Sequence, residues 1–323
     1  MNFKNFFDAF PPPDFLNFPY AGISISDTAV RCLQLSKKGK ALSVSKFAQE
    51  PLPLGAVVSG AIINVGEVAN ILEKMKKDLN LGYAKVSLPE EKAYLFTTKI
   101  PIVENKEVRS AVEFKMEENV PVSPSELIFD YAVSDPYSHT DHLNVVVSAL
   151  PISVLDKYVE TFHTAGIPIL SLEIESQAIA RAVLLPGDSN THLIIHFGRE
   201  NVGLYVASGC IVHFTSTISV KGVGDEAVSF LSQEVKKLYT YWHTLKENAG
   251  VESKKIVSII ACGENVGDQI LSYLSSHVKT EATPANVWIN AFDINADIPQ
   301  ISFEDSLKFA PAVGLALPSE NLI

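Results

Sequence analysis

Cysteine is scarce in this chain, and what there is does not pair. Cys32, Cys210 and Cys262 are odd in number and lie far apart, which excludes a disulfide framework and a paired-cysteine zinc motif. They read as small buried hydrophobes of a reducing compartment. Basic charge is also short: Lys and Arg number 26 against 37 Asp and Glu, a net charge of -11, so the chain lacks the basic face of a general nucleic-acid binder. Long apolar runs are missing. None reaches the length that spans a bilayer, and the N-terminus has no basic stretch followed by an apolar core. A cytoplasmic protein is expected. No Ser-His-Asp or Cys-His arrangement is marked by a nucleophile turn, so hydrolytic catalysis has no positive support. His139 and His142, in SDPYSHTDH, read as a solvated hairpin tip, and no metal site is assigned.

What is present suffices for two folded halves. The chain has 323 residues, of which 47% are apolar, enough for two domains with cores of their own. Tyr20 to Leu35, YAGISISDTAVRCLQL, reads as two apolar strands with period-2 alternation joined by a tight polar turn. The pattern returns at Leu193 to Val206, LIIHFGRENVGLYV; laying Ile23 on Ile195 puts Ser26 on Gly198, Thr28 on Glu200 and Val30 on Val202. A third apolar strand follows each copy, Ala41 to Phe47 and Cys210 to Ile218. A three-strand meander occurring twice argues for two related halves. Two such halves, each offering its first turn to a shared cleft, make an α/β, two-lobed actin-like fold, a duplicated ribonuclease H-like unit.

The organisation expected along the chain has four parts. Residues 1–19 form a tail in which Phe3, Phe6, Phe7 and Phe10 fall at i, i+3, i+4 and i+7 ahead of Pro11, Pro12 and Pro13, the stripe of a short helix. It docks on its own domain or serves as a docking tag for a partner or membrane surface, although with only Lys4 for positive charge lipid binding alone would be poor. Residues 20–85 plus 168–186 form the first lobe, with a helix from Asn64 to Leu79 capped by Asn64 and striped by Val68, Leu72, Met75 and Leu79. Residues 86–167 form an inserted α+β subdomain: strand Ala93 to Ile100, helix Asn105 to Asn119, strands Leu127 to Val133 and Leu143 to Leu150, then helix Ser153 to Ala165. Residues 187–323 form the second lobe, with a long helix from Asp225 to about Asn248. The terminal FAPAVGLAL, Phe309 to Leu317, is expected to close that lobe's core.

At Ala111 to Tyr131 the sequence AVEFKMEENVPVSPSELIFDY closely resembles the type IV pilus assembly protein PilM family, whose pattern there is A-I-x-x-E-A-E-x-Y-I-P-F-P-x-x-E-x-x-x-D-Y. Ala111, Val112, Glu117, Val120, Pro121, Glu126, Asp130 and Tyr131 fit it. Further matches run from Leu52 and Pro53 through Glu175 and Arg181 to Gly314 and Leu317. The resemblance implies an actin-like fold in the manner of the cell-division protein FtsA, with the insert as that group's extra subdomain. It implies a cytoplasmic scaffold of a type IV pilus, or related type II secretion, assembly platform. Its partner would be the N-terminal peptide of a PilN-like membrane protein, gripped as an extended chain in a groove between first lobe and insert. Phe96, Ile100 and Phe114 are the partner-binding candidates; their alternative is the insert's own core.

The same resemblance places a nucleotide site between the two turns, where backbone N–H groups cradle phosphates and glycine is favoured. The family's I-D-I-G-S-S-S-V-K is here Ile23, Ser24, Ile25, Ser26, Asp27, Thr28, Ala29, Val30 and Arg31: the magnesium-organising carboxylate has become Ser24 and the glycine Ser26. In the second turn Gly198 remains, Arg199 and Glu200 replace small residues, and His196 stands where an acid is frequent. Ser26, Asp27, Thr28, Gly198, Gly224, Glu234, Lys237 and Gly263 are the residues that would hold a nucleotide. Most of the helical subdomain that walls the adenine pocket in relatives is missing, which removes apolar burial from a base. ATP hydrolysis is therefore not expected and no cofactor is assigned, although Arg31 or Arg199 could neutralise phosphate charge. The alternative is an ATP-binding actin-like switch or filament-forming protein holding ATP and magnesium.

Overall fold

The structure, a computed structural model, describes residues 18–38, 41–133, 141–220, 225–246, 248–293 and 299–318. The phenylalanine stripe of the tail, His139 and Gly224 lie outside the described residues. No helix among the described residues is long and apolar enough to cross a membrane.

The alternation at Tyr20 produces the hairpin it implies. Strands β1 (Tyr20–Ile25) and β2 (Ala29–Lys38) run antiparallel with Ile23 opposite Cys32 and Ile25 opposite Val30, and β3 (Ala41–Pro51) adds to β2. A small side hairpin, β4 (Val57–Val58) and β5 (Ala61–Ile62), precedes helix α1 (Val65–Leu79). The Asn64 side chain accepts from the Glu67 N–H, and Asn80 in the left-handed region ends the helix. Strand β6 (Tyr83–Leu88) then pairs in parallel with β1, and β10 (Ile169–Ile174) in parallel with β6. The sheet order is β10-β6-β1-β2-β3.

The second sheet repeats this order strand for strand. An antiparallel meander of β11 (Thr191–Phe197), β12 (Asn201–Ser208) and β13 (Ile211–Ser219) is extended by β14 (Ile256–Gly263) parallel to β11 and β15 (Ala282–Pro284) parallel to β14. The order β13-β12-β11-β14-β15 makes the two halves relatives in topology. Only residues 220–224 connect β13 to helix α5 (Asp225–Thr244). That helix and α6 (Asp268–Val278) cover the outer face, where Leu231, Val235, Leu238 and Trp242 join Leu193, Ile195 and Leu274 in one apolar cluster.

Between β6 and β10 lie β7 (Tyr94–Pro101), α2 (Asn105–Asn119), β8 (Leu127–Val133), β9 (His142–Pro151) and α3 (Ile152–Thr164). The three strands form an antiparallel sheet, β7-β9-β8. Helix α2 closes one face of it, burying Val108 and Val112 with Ile100, Val145 and Val147, and Met116 with Leu127 and Ala149. Helix α3 departs from expectation. Its Tyr158 and Phe162 share a cluster with Leu72 and Met75 of α1, and the Tyr158 hydroxyl donates to the Gly60 carbonyl at 2.9 Å. The body that packs on itself thus spans residues 94–151, narrower than the expected 86–167, because the apolar face of α3 finds its match on α1.

The terminal apolar segment also differs from its expected place. Helix α8 (Ala310–Ala316), entered through a single turn, α7 (Phe303–Ser306), does not lie within the second lobe alone. It packs on β1 and on helix α4 (Glu175–Val183), between the two sheets. Missing side chains are the reason: a Cβ on Gly22 would overlap the Ala312 carbonyl oxygen, and one on Gly314 the Ala178 carbonyl. The surrounding cluster draws on both halves, with Leu33, Ile179, Ile194, Tyr205, Trp288 and Phe309. Gly314→Ala is expected to lower the unfolding free energy by about 1–3 kcal/mol, the usual cost of overpacking, read as a reduced midpoint in urea; an unchanged midpoint would mean that this contact is slack.

Candidate functional site

The β1–β2 and β11–β12 turns face each other across a cavity of about 380 Å³, a volume within the range of small-ligand sites. Ser26, Asp27, Thr28, Gly198 and Gly263 all line it, so the structure brings these sequence candidates together. Glu234 and Lys237 are elsewhere. They pair with each other at 2.6 Å on α5 and line a separate shallow groove with Leu204, Phe214 and Tyr241.

The first turn consumes its own donors. The Ser26 hydroxyl oxygen accepts from the backbone N–H groups of Thr28 at 3.4 Å and Ala29 at 3.2 Å, and from Arg31 Nη1 at 3.3 Å. A glycine at this position would leave those N–H groups free for a phosphate. Asp27 is likewise engaged, its two carboxylate oxygens accepting from Ser59 N–H at 2.8 Å and Gly60 N–H at 2.9 Å. It anchors the β4–β5 turn, where Ser59 and Gly60 both have positive φ. The second turn is closed by Gly198 N–H donating to the Asn201 carbonyl at 2.8 Å.

Acids outnumber bases around the cavity. Asp27, Glu91, Glu175, Glu200 and Glu264 line it, against Arg31, Arg199 and Lys308. Glu175 starts α4 and is largely buried, its side chain 14% exposed. Burial first, then the neighbouring Glu91 and Glu90 carboxylates, hold its carboxyl well above the usual carboxylate range. His196 Nδ1 lies 3.6 Å away. Burial, reinforced by Arg31, pushes that imidazole down to about 4, so it is neutral at physiological pH. The buried Arg31 is held by Gln49 Oε1 at 2.8 Å and by Glu264 Oε1 at 2.7 Å, and Thr28 Oγ1 donates to the same Glu264 oxygen at 3.1 Å. Glu175, Glu91 and Glu264 carry no role in the sequence reading. The only local signal for Glu264 is a charge placed directly after a glycine at a strand end. Among the described residues no group of three or more His, Cys, Asp or Glu is arranged to hold a metal ion.

A second concavity, of about 560 Å³, lies between insert and first lobe. Ile128, Asp130 and Ala132 of β8, Val146 and Leu150 of β9, Leu155 of α3, and Leu172 and Ile174 of β10 line it. Both β8 and β10 are edge strands of their sheets, so two rows of backbone groups lack a strand partner on this side. None of the three partner-binding candidates lines this groove. Ile100 is 1% exposed in the insert core under α2, Phe96 packs partly buried against the same core, and Phe114, 67% exposed, sits on the outer side of α2. The alternation of β7 turns Phe96 and Ile100 to the face that α2 covers, and the groove is on the other.

Topology and site define a class first: a two-lobed actin-like protein whose first lobe carries an inserted α+β body. Residues 22–207 match the family model described as type IV pilus assembly protein PilM. The chain belongs to that family. A chain of a solved PilM-PilN type IV pilus biogenesis complex is similar to it at 18% identity and TM-score 0.77, covering 95% of this chain and 99% of that one. The ethanolamine utilization protein EutJ from Carboxydothermus hydrogenoformans is similar at 11% identity and TM-score 0.49, over 95% of this chain and 90% of its own. The cytoplasmic domain of EpsL, an inner membrane component of the type II secretion system of Vibrio cholerae, is similar at 9% identity and TM-score 0.49, over 85% and 100%.

The raised carboxyl of Glu175 has a measurable consequence. A folded-state pKa above the unfolded value means that its contribution to stability is present below the ordinary carboxylate pKa and is lost as pH rises through the raised one. His196 works in the opposite sense, its contribution disappearing as pH falls from the usual imidazole range towards about 4. His196 is present in both proteins of a Glu175 comparison, and well above pH ~6.5 it is neutral in both states, so the difference between the proteins reads the carboxyl. Glu175→Gln should therefore melt above the wild type at pH ~8 by about 2–4 °C, the shift that roughly 1 kcal/mol gives in proteins of comparable size. The difference should shrink towards pH ~5; a constant offset across thermal scans at both pH values would mean that Glu175 is ionised in the fold.

Proposed function

We propose that this protein is a non-catalytic cytoplasmic scaffold of a type IV pilus, or related type II secretion, assembly platform. It holds the N-terminal peptide of a PilN-like membrane protein in the groove between first lobe and insert. The observation that carries this reading is the groove of about 560 Å³ flanked by two unpaired strand edges, β8 and β10. An extended peptide entering it gains main-chain hydrogen bonds from an edge while alternate side chains reach the apolar floor at Leu150, Leu155 and Leu172. Family membership supports the assignment to pilus assembly, and the solved relative is itself a complex with PilN. Attachment to the membrane comes through the partner.

The cavity between the turns supports the non-catalytic half of the reading. A triphosphate would meet a turn whose N–H groups already serve Ser26, and a lining in which carboxylates exceed cations. The groove is tested by calorimetric titration with a synthetic N-terminal peptide of the PilN-like partner. Ile128 is 45% exposed on the groove floor, so replacing it removes little buried apolar contact. Ile128→Arg is expected to weaken binding at least about tenfold, close to 1.4 kcal/mol. Equal affinity in both proteins, or a wild type that ignores the peptide, overturns the groove assignment. A thermal scan with Mg-ATP should leave the midpoint unmoved, and a clear rise would favour an ATP-dependent switch instead.

A further inference from the structure

We propose that the Glu264 carboxylate is a built-in substitute for a phosphate: it fills the oxyanion site of the β1–β2 turn and latches the two lobes together. The geometry begins with backbone. Strand β14 ends at Gly263, whose φ of 98° lies in the left-handed region. A Cβ there would overlap the Phe197 carbonyl oxygen. Only glycine permits this turn, and the Glu264 N–H then donates to that same carbonyl at 2.6 Å. Glu264 is thus fixed to β11 of the second lobe with its side chain aimed at the first.

What it meets is an anion site. Its Oε1 accepts from the Thr28 hydroxyl at 3.1 Å and from Arg31 Nη2 at 2.7 Å. Arg31 is held in place by Gln49 at 2.8 Å through Nε and by Ser26 at 3.3 Å through Nη1, with its side chain 7% exposed. A guanidinium and a hydroxyl converging on one oxygen form the charge-assisted arrangement that carboxylates and phosphates share. Removing the carboxylate would leave a buried cation without its counter-ion, a state that a mobile oxyanion relieves. In the intact chain an external anion competes with one tethered beside the site, which has a high effective concentration. The lobes are therefore closed by a side chain where a ligand would otherwise be needed, and the ligand class excluded is small phosphates.

The test is titration of the full-length protein with inorganic pyrophosphate, comparing wild type, Glu264→Ala and Glu264→Gln by calorimetry. Pyrophosphate should bind Glu264→Ala at least tenfold more tightly than the wild type and raise its thermal midpoint while leaving the wild type unmoved. Adding Thr28→Val to Glu264→Ala should reverse part of that gain. Glu264→Gln keeps the shape and the Thr28 contact, so it carries the test if the alanine variant does not fold, with a gain in the same direction. Equal affinity in all the proteins, or no pyrophosphate binding by either single variant, overturns the proposal. The titration contains no partner peptide, so its outcome is independent of the groove assignment.

Discussion

Helix α8 is seated at backbone contact on the first half by positions that have no side chain. Gly22 on β1 receives the Ala312 carbonyl, and Gly314 on α8 receives the backbone of Ala178 on α4. With the helix seated that closely, α8 cannot slide on β1 or α4 without driving a carbonyl into a neighbour, and close-packed interiors resist such shifts. The mutual position of the β1–β2 and β11–β12 turns follows from this contact. Glu264 adds to this packing a polar contact across the cleft, to Thr28 and Arg31 of the first lobe. An apolar cluster drawn from both halves, including Leu33, Tyr205 and Trp288, surrounds the contact and keeps water out of it.

Given that fixed spacing, the chemistry of the cavity is decided by a few substitutions whose effects reinforce one another. Ser26 withdraws backbone donors, Asp27 spends its carboxylate on the β4–β5 turn, and Glu264 occupies the guanidinium of Arg31. Each could be tolerated singly in a phosphate site. Together they commit the Thr28 and Ala29 N–H groups and the Arg31 guanidinium within the chain, while Glu175 and Glu91 line the same space. Burial, reinforced by the Glu91 and Glu90 carboxylates, holds the Glu175 carboxyl well above the ordinary carboxylate range, which lessens the repulsion among the acids there.

Much of this architecture is legible in the sequence where the signal is local and periodic. The twin hairpins are visible because Ile23 and Ile195 each sit in strict alternation beside a polar turn, and α1 because Asn64 and Glu67 bracket a capped start. What cannot be read is direction and distance. The segment Ala310–Ala316 is apolar on every side, so its composition does not say which sheet it joins. Phe96 and Ile100 alternate correctly, but alternation alone does not say which face α2 covers. Arg31 and Glu264 are 233 positions apart, and neither stretch contains a hint of the other. Glu175 reads as the first residue of an ordinary helix until Glu90, Glu91 and His196 are seen beside it.

The cavity and the groove share a wall, and this links the latch to recognition. Strand β6 ends at Leu88, which lines both concavities, and the chain enters the insert through Glu90. Glu90 is buried and accepts from the Ser176 N–H at 3.2 Å, at the start of the same helix that carries Glu175 into the cavity and Gln177 into the groove. Helix α4 is thereby held from both sides, by the link into the insert through Glu90 and by the close approach of α8. A groove whose walls include β8, β10 and α4 is thus braced by the chain itself. Binding to a preformed site spends less of its free energy on ordering the receptor. The Glu264 contact to Thr28 and Arg31 braces the cavity side of that shared wall from within the chain.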